Sequence, residues 1–563
     1  MIPEFTANSE LKDVIIIGGG PAGLAVASRL SERMPAATFT DEEHQRYHWI
    51  RRHSRKMSIK NWRTGAVRPA DCKCQPRGAL LDLAVLDATG DEWMKRWHTL
   101  FRTFDISHLR SPMFFHIDPA ERDGLLSYTH MNGRGKELKE ICGCVGKEVS
   151  KHQRKKERAR KQPRAEPTID ERDRNDYFVP STPLFSAHCD CLIDRYSLRR
   201  DVVQHEEVLD IRYGFVDHVC RDEPVFTIRT NKTTRYARVA VLAVGPANAP
   251  TIPGPIDGGS DAITHAMKIR TFPSPRVKEK IASKKATNIL IVGGGLTSAQ
   301  LADLAIRRGV TKVWLIMRGE LKVKPFDIGL EWVGKFRNFE QAAFWSADTD
   351  EERWEKIQAA RNGGSITSPY RKIVEKHAAS GRLTLCRHTT LRARQWQEPA
   401  QTWKVELDGP PDQEGQKQEQ DQGHDEARLP PLFDHIYYAT GVQTDFTTLP
   451  YLQNLLAAYP VASCGGLPCI TDEMQWRDDV PLFLTGRLGA LQLGPGAPNL
   501  VGARIGAERI SWAVQDILSK VHNVGVGGPS KQSDDSSFDY STARGSRYSA
   551  LDMDGAVDGE QQL

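Results

Sequence analysis

Two glycine-rich turns in this chain have the residue types and the spacing that hold a phosphate. The first turn runs Gly18-Gly19-Gly20-Pro21-Ala22-Gly23, and the second, in the other half of the chain, runs Gly293-Gly294-Gly295-Leu296-Thr297-Ser298. Glycines at these positions permit a tight turn and let a diphosphate reach the backbone N–H groups. The two turns therefore predict two bound dinucleotides. A protein usually holds two of them in order to pass electrons from one to the other.

Each turn lies where a strand is expected to run into a helix. Apolar, β-branched residues precede it at 14–17 and at 289–292, and an Ala/Leu-rich stretch follows it. We expect the first helix over about residues 21–33, where Pro21 is tolerated because a first-turn N–H has no helical partner. Ser298 keeps the last position of the second turn small and can help to cap its helix. This strand–turn–helix context predicts an α/β fold with two Rossmann-like, three-layer domains.

The residues beyond each turn make the two predicted sites different. We expect a short strand at 37–40 that ends in Asp41 and Glu42, where a carboxylate would bind the adenosine ribose and repel a ribose phosphate. The first site should then hold FAD or NAD. The strand expected at 312–317 ends instead at Arg318, and a cation there suits NADP. A solvated acidic turn and a surface arginine without a ligand are the simpler alternatives.

These motifs, with Ala439-Thr440-Gly441 and Thr485-Gly486, occur in an order that resembles the single-component (class B) flavin monooxygenases. That group includes the flavin-containing, the Baeyer–Villiger and the ornithine/lysine N-hydroxylating monooxygenases. The chain also resembles the oxidative-stress-induced growth inhibitor proteins. The resemblance covers most of residues 12–518, and it implies FAD at the first turn and NADPH at the second.

The resemblance also implies an arrangement of domains in which the NADP domain is inserted into a discontinuous FAD domain. The FAD domain would comprise residues 12–249 and 430–520, and the NADPH domain would comprise residues 250–429. We expect a flexible N-terminus (1–11), a basic insertion (about 145–175), a polar loop (409–428) and a disordered tail (521–563).

Further cofactor-binding residues follow from the same resemblance. Residues 108–115 are similar to a segment beside the flavin ring, and residues 488–495 to a segment that caps it. The residues expected to bind the cofactors are Gly18, Gly20, Pro21, Ala22, Gly23, Asp41, Glu42, Leu109, Arg110, Ser111, Gly293, Gly295, Leu296, Thr297, Ser298, Arg318, Thr440, Gly441, Gly486, Asn499 and Leu500.

The chemistry that the resemblance implies needs no side-chain nucleophile. NADPH would reduce FAD, O2 would form a flavin hydroperoxide, and a nitrogen, sulfur or carbonyl carbon of a small molecule would be oxygenated. The flavin and its surroundings carry such chemistry, so we assign no catalytic residue. His116 and Asp118 are candidates for proton transfer, although a polar loop is the simpler interpretation, and His265 reads as a linker histidine. Trp332, Phe344, Trp345 and Tyr370 are candidates to line the substrate pocket or the core.

Composition limits the setting of this chemistry. The net charge of +5 resides in residues 147–174, a segment without apolar periodicity that cannot order itself by burial. We expect a solvated loop there and no nucleic-acid partner, with binding of polyanions or nuclear import as alternatives. Residues 1–11 do not resemble a signal peptide, and no apolar run is long enough for a membrane helix. A cytoplasmic protein with free thiols and no metal is the expectation.

Two other functions remain open at this stage. One is an NADPH-dependent flavin oxidoreductase or oxidase that releases peroxide, and the other is a regulatory protein that retains the flavoprotein fold.

Overall fold

The computed structural model describes residues 11–32, 35–53, 58–60, 67–69, 81–145, 171–199, 201–246, 250, 252–254, 259–333, 337–409, 431–442 and 444–524. Residues 1–10, 146–170, 410–430 and 525–563 lie outside these residues, and with them most of the N-terminus (1–11), basic insertion (about 145–175), polar loop (409–428) and tail (521–563) that we predict. The end of the basic insertion is described, and residues Glu171–Tyr177 form a 3-10 helix there. Our predictions for those four segments stay predictions.

The strands and the longer helices follow the alternation expected of an α/β fold. The strands are β1 Leu11–Ile17, β2 Ser58–Lys60, β3 Val67–Pro69, β4 Leu83–Asp87, β5 Leu138–Glu140, β6 Phe178–Pro180, β7 Val203–His205, β8 Val208–Val216, β9 Cys220–Thr230, β10 Thr234–Leu242, β11 Ile263–His265, β12 Asn288–Val292, β13 Lys312–Ile316, β14 Leu383–Cys386, β15 Thr390–Gln397, β16 Thr402–Asp408, β17 His435–Tyr438, β18 Ser463–Cys464, β19 Leu467–Pro468, β20 Gln475–Arg477 and β21 Val480–Leu484. The helices are α1 Pro21–Ser31, α2 Asp41–His53, α3 Lys95–Thr103, α4 Gly124–Met131, α5 Thr182–Arg195, α6 Pro275–Ala282, α7 Leu296–Arg307, α8 Arg337–Trp345, α9 Asp350–Arg361, α10 Ser368–Ala379, α11 Gln453–Ala458, α12 Ala490–Leu493 and α13 Leu500–Val524.

The first sheet contains the strand before the first glycine turn. Its order is β20-β21-β10-β1-β4-β7, and the antiparallel strands β9 and β8 continue from β10. β1 pairs in parallel with β10 and with β4, and β10 pairs in parallel with β21. Residues 14–16 of β1 are fully buried, as expected for a parallel strand covered on both faces. Helix α1 packs against α13 on this sheet.

The second sheet contains the strand before the second glycine turn. Its order is β11-β17-β12-β13-β14, and each neighbouring pair is parallel. All five strands lie between β10 and β20 along the chain. Helices α7 and α10 pack against each other and against strands of this sheet. The chain therefore leaves the first sheet, builds the second, and returns to the first.

One stretch of chain between the strands of the second sheet packs into the core of the first. Phe326, Ile328, Phe344 and Ile357 are at most 4% exposed and belong to the same buried cluster as β1 and β21. The two sheets are thus joined by packing as well as by the connecting chain.

Most element predictions are confirmed within a few residues. The helix expected over 21–33 ends at Ser31, and the strand expected over 312–317 ends at Ile316. The last helix runs to Val524, beyond the start that we expected for the tail. The prediction of a strand over 37–40 is wrong, because these residues lead into α2.

Candidate cofactor sites

The first glycine turn leaves open space where a ligand would approach. A side chain at Gly18, where φ is +115°, would place its Cβ 2.4 Å from the backbone oxygen of Ala243. A Cβ at Gly23 would lie 1.9 Å from the backbone oxygen of Gly18, whereas one at Gly20 would meet nothing within 4 Å. No side chain caps the start of α1. The start of α1 therefore offers N–H groups that no side chain caps, which suits a diphosphate.

An acid that the sequence reasoning missed lies directly beside this turn. Asp87 ends β4, the strand paired with β1, and its Oδ2 accepts a 2.7 Å hydrogen bond from the Gly19 N–H. The carboxyl end of this strand is where a ribose-binding acid belongs in a dinucleotide fold. The apolar run of residues 83–86 followed by Asp87 was the available signal. We missed it because we expected a short connection after α1.

Residues 37–40 form no strand because they precede helix α2 and Thr40 caps it. The Glu43 carboxylate accepts from the Thr40 N–H at 2.8 Å, and the Thr40 hydroxyl accepts from the Glu43 N–H at 3.3 Å. This reciprocal pair is a capping box that starts α2. Asp41 and Glu42 therefore lie in the first turn of α2, and the strand-end position that we assigned to them belongs to Asp87.

The segment expected beside the flavin is fastened to the second half of the chain by one side chain. The Arg110 guanidinium donates to the Asp327 carboxylate at 2.8 Å, to Ser365 Oγ at 2.9 Å, and to the backbone oxygens of Lys324 and Phe326 at 3.0 and 2.8 Å. Both terminal nitrogens are thus occupied by protein atoms. This geometry makes Arg110 a positioning residue, and our expectation that it binds a cofactor stays a prediction. Leu109 beside it is buried, and Ser111 is half-buried.

The second glycine turn resembles the first, with two differences: a serine replaces its last glycine, and a loop lies against it. A Cβ at Gly293, where φ is +147°, would lie 2.5 Å from the backbone oxygen of Ala439. Buried Ser298 replaces the last glycine, and its hydroxyl donates to the Gly295 oxygen at 2.6 Å. Ser298 therefore does not cap an N–H of α7, contrary to our expectation. The N-terminus of α7, at Leu296 and Thr297, has no side-chain cap.

The loop between α9 and α10 lies against the second turn. A Cβ at Gly364 would be 3.1 Å from the Cα of Gly295 and 3.2 Å from its nitrogen. The backbone of this loop is therefore in close contact with the backbone of the turn.

Arg318 lies just beyond the carboxyl end of β13, as the sequence predicted. It follows β13, is exposed, and makes no hydrogen bond or ion pair with any residue that the structure describes. Nearby Lys322 donates to the backbone oxygen and Oδ1 of Asn362, and Lys324 donates to the backbone oxygen of Arg361. Of these three side chains, only Arg318 makes no hydrogen bond to a described residue.

The remaining predicted residues lie at the carboxyl ends of the same two sheets or beside them. Gly486 follows β21 with φ of +66°, while Thr440 and Gly441 follow β17, next to the second turn. Asn499 precedes α13, Leu500 begins it, and the Asn499 backbone oxygen accepts from Ala503. The glycines of each predicted set therefore follow the carboxyl ends of strands of one sheet, whereas Asp41, Glu42 and Arg110 lie elsewhere.

The four candidate aromatic residues divide between two cavities. Tyr370 lines a cavity of about 110 Å³, here called the central cleft, between residues 106–110 and 139–142 on one side and Leu296, Gln300 and 367–370 on the other. Trp332, Phe344 and Trp345 line a narrower cavity beside residues 493–496, with a volume of about 20 Å³. The central cleft is thus bounded by the segment expected beside the flavin ring (residues 108–115) and by the start of α7.

His116 and Asp118 belong to a buried cluster that lines neither cavity. The Asp118 carboxylate accepts two 2.9 Å hydrogen bonds from Arg195, and His116 contacts the Arg122 backbone oxygen at 2.7 Å. Burial lowers the pKa of His116 well below its usual value, aided by the Arg504 charge. Burial alone would raise the pKa of Asp118, but His188 and Arg195 outweigh it and hold that pKa low. This geometry supports a structural cluster.

His265 is buried, and its Nδ1 accepts a 3.2 Å hydrogen bond from the Met267 N–H, as expected for a linker histidine. The eight cysteines within the described residues are free thiols. In the same part of the chain, no cluster of side chains has the arrangement of a metal site. No described helix is long and apolar enough to cross a membrane.

Solved structures resemble this chain over most of its length. The ornithine N-hydroxylase of Kutzneria sp. 744 is 16% identical, with a TM-score of 0.56 over 90% of this chain and 99% of that one. The cadaverine monooxygenase of the desferrioxamine pathway in Erwinia amylovora is 14% identical, with a TM-score of 0.55 over 90% and 95%. The L-lysine 6-monooxygenase of Pseudomonas syringae is 16% identical, with a TM-score of 0.51 over 90% and 100%.

At such identities the likeness shows a shared fold, which is that of the class B flavin monooxygenases. The predicted α/β fold with parallel sheets is thereby confirmed. No model of a known protein family matches the chain, and no curated protein matches its sequence.

Proposed function

We propose that this chain is an FAD- and NADPH-dependent monooxygenase that oxygenates a small molecule with O2. The observation that carries the proposal is the pair of glycine turns, each at the carboxyl end of a parallel strand in its own sheet and each followed by a helix N-terminus that no side chain caps. The cofactors bound by the fold neighbours support the same assignment, since the ornithine hydroxylase was solved with reduced FAD, NADP⁺ and L-ornithine.

The residues around the first turn fit FAD. Gly18 and Gly23 keep the turn tight, and the open space at Gly20 admits the diphosphate. Asp87 would leave the Gly19 N–H and accept from the ribose hydroxyls. Residues 12–249 and 430–520 would then form the FAD domain, because the first sheet takes strands from both ranges. β17 is the exception to these predicted bounds, since it lies within 430–520 but pairs with β11 and β12 of the second sheet.

The residues around the second turn fit NADPH. The start of α7 would hold the diphosphate, and Arg318 would pair with the ribose phosphate. Residues 250–429, together with β17, would form the inserted NADPH domain. Arg110 would hold the two halves in register, so that the nicotinamide end enters the central cleft.

Bound FAD, once reduced by NADPH, would supply the activation of O2. The protein would orient the reacting groups and exclude water from them. The walls of the central cleft are mostly apolar, including Leu109, Leu296 and Tyr370, and they would exclude water from the reacting atoms. The substrate atom would be a nitrogen, a sulfur or a carbonyl carbon.

The purified full-length protein tests this proposal. We expect it to bind FAD, to oxidise NADPH faster than NADH, and to consume O2 without equivalent peroxide when a panel of amines, thioethers and ketones includes a substrate. Equivalent release of peroxide with every compound would instead indicate an oxidase. A protein that stays colourless after FAD is added would contradict both enzymatic functions.

A further inference from the structure

A glycine lies at or just beyond the carboxyl end of each of three neighbouring strands of the first sheet. Gly18 follows β1, Gly245 lies just beyond β10, and Gly486 follows β21, with φ of +115°, +58° and +66°. A Cβ at Gly245 or at Gly486 would meet nothing within 4 Å. An elongated ligand that begins at the first turn could therefore extend along this edge as far as Gly486.

Arg487 follows immediately at the end of this strip. Its side chain is half-buried, and its guanidinium makes no hydrogen bond or ion pair with any residue in the described part of the chain. Arg477, on the neighbouring strand β20, is different, since it pairs with Asp479 at 2.9 Å and is 40% exposed. An arginine withdrawn from water would ordinarily have acquired an acidic partner.

The groups around Arg487 do not supply that partner. Arg361 lies nearby and donates to the backbone oxygen of Pro495 at 3.0 Å, and Lys324 donates to the Arg361 backbone oxygen. Burial lowers the pKa of Arg487, and the Arg361 charge lowers it further. Asp327 is already taken up by its ion pair with Arg110. This corner therefore carries surplus positive charge.

We propose that Arg487, supported by Arg361, is a binding residue for the negative charge of FAD. This inference rests on the proposed function, because it needs FAD along the glycine strip. FAD carries negative charge in two places: on its diphosphate in every redox state, and on its ring system after reduction. A cation at the end of the strip stabilises whichever of these lies next to it.

Three variants test the proposal on the full-length protein. Arg487→Gln removes the charge, Arg487→Lys keeps it, and Arg477→Gln is the matched control on the neighbouring strand. Two measurements are made: the dissociation constant of oxidised FAD, and the midpoint potential of the bound flavin. Circular dichroism and thermal melting verify the fold. Should Arg487→Gln fail to fold, Arg487→Met takes its place, because an unbranched apolar side chain suits a half-buried position.

For Arg487→Gln we expect FAD to bind at least tenfold more weakly, or the midpoint potential to fall, with Arg487→Lys close to wild type. Weaker binding at an unchanged potential would assign Arg487 to the diphosphate, and a lower potential at unchanged binding would assign it to the reduced ring. If wild type binds FAD and both quantities are unchanged in Arg487→Gln, the inference is overturned while the proposed function stands. If wild type binds no FAD, the proposed function itself fails.

Discussion

At the scale of single residues, Gly18 and Gly20 differ in what their missing side chains would meet. A Cβ at Gly18 would overlap the Ala243 oxygen, whereas one at Gly20 would enter open space. Gly20 also has φ of −81°, which alanine adopts without strain. The two glycines are therefore required for different reasons, the first by the fold and the second by the ligand.

We expect Gly20→Ala to keep the wild-type melting temperature of the apoprotein and to lose FAD, because its methyl group occupies the space left for the diphosphate. Gly18→Ala should instead destabilise the protein, by about 1–3 kcal/mol from backbone strain alone. Visible absorbance of the purified variants and thermal melting without added FAD distinguish the two effects. Tight FAD binding by Gly20→Ala would contradict the assignment of the first site.

Under the proposed function, Arg318 would carry the preference for the phosphorylated cofactor. Because its side chain makes no hydrogen bond to a described residue and it follows β13, we expect Arg318→Ala to raise the KM for NADPH at least tenfold and to leave the KM for NADH nearly unchanged. Steady-state kinetics with both cofactors checks this. Lys322→Ala is the matched control, since the Lys322 ammonium already binds Asn362. An equal rise with both cofactors would show that Arg318 does not read the phosphate.

At the scale of elements, Arg110 holds the segment expected beside the flavin ring (residues 108–115) against the loop at Ser365. Replacing it by alanine leaves Asp327 and several backbone oxygens without their donor. We expect Arg110→Ala to lower the free energy of unfolding by about 2–4 kcal/mol. Arg110→Lys should recover little of this, because an ammonium cannot reproduce the planar set of donors. Urea unfolding measures the loss, and trypsin should cleave faster after Arg361.

Exposed Arg102 on α3 provides the control for that experiment, and its replacement by alanine should change neither quantity. Unaltered stability in Arg110→Ala would mean that packing alone holds the segment.

The elements also show which parts of the fold a sequence reveals. The two strand–turn–helix units were predictable because a glycine turn between an apolar strand and a helix is a local pattern. Asp87 was not predicted, since the distance in sequence between α1 and β4 depends on a long connection and not on local chemistry. The contacts of Arg110 with Asp327 and Ser365 join distant parts of the chain, so no local pattern announces them.

At the scale of the whole molecule, buried histidines in two different cores make the stability of the protein fall at acid pH. His116 lies in the first core, and His435 lies on β17 of the second sheet, with its Nε2 3.0 Å from the Thr264 hydroxyl. Burial lowers the pKa of His435 to about 3 and that of His116 well below 6.5. Both folded-state pKa values lie below the unfolded value. The unfolded chain therefore takes up more protons as the pH falls.

We expect stability to be full above about pH 6.5 and to decline below it, by about 2 kcal/mol per histidine at pH 5. Urea unfolding at pH 7.5 and at pH 5 measures the decline. His435→Gln should flatten the dependence, and exchange of exposed His130 for glutamine should leave it unchanged. Equal stability of wild type at the two pH values would contradict the burial of neutral imidazoles.

The contact between Gly364 and Gly295 has a consequence for genetics. A side chain at residue 364 would push on the turn proposed to hold NADPH, although the two residues are far apart in sequence. In a saturation mutational scan, position 364 should tolerate almost nothing but glycine and should group with the nucleotide turn. Compensating changes should be found in residues 294–296 before they are found among its own sequence neighbours.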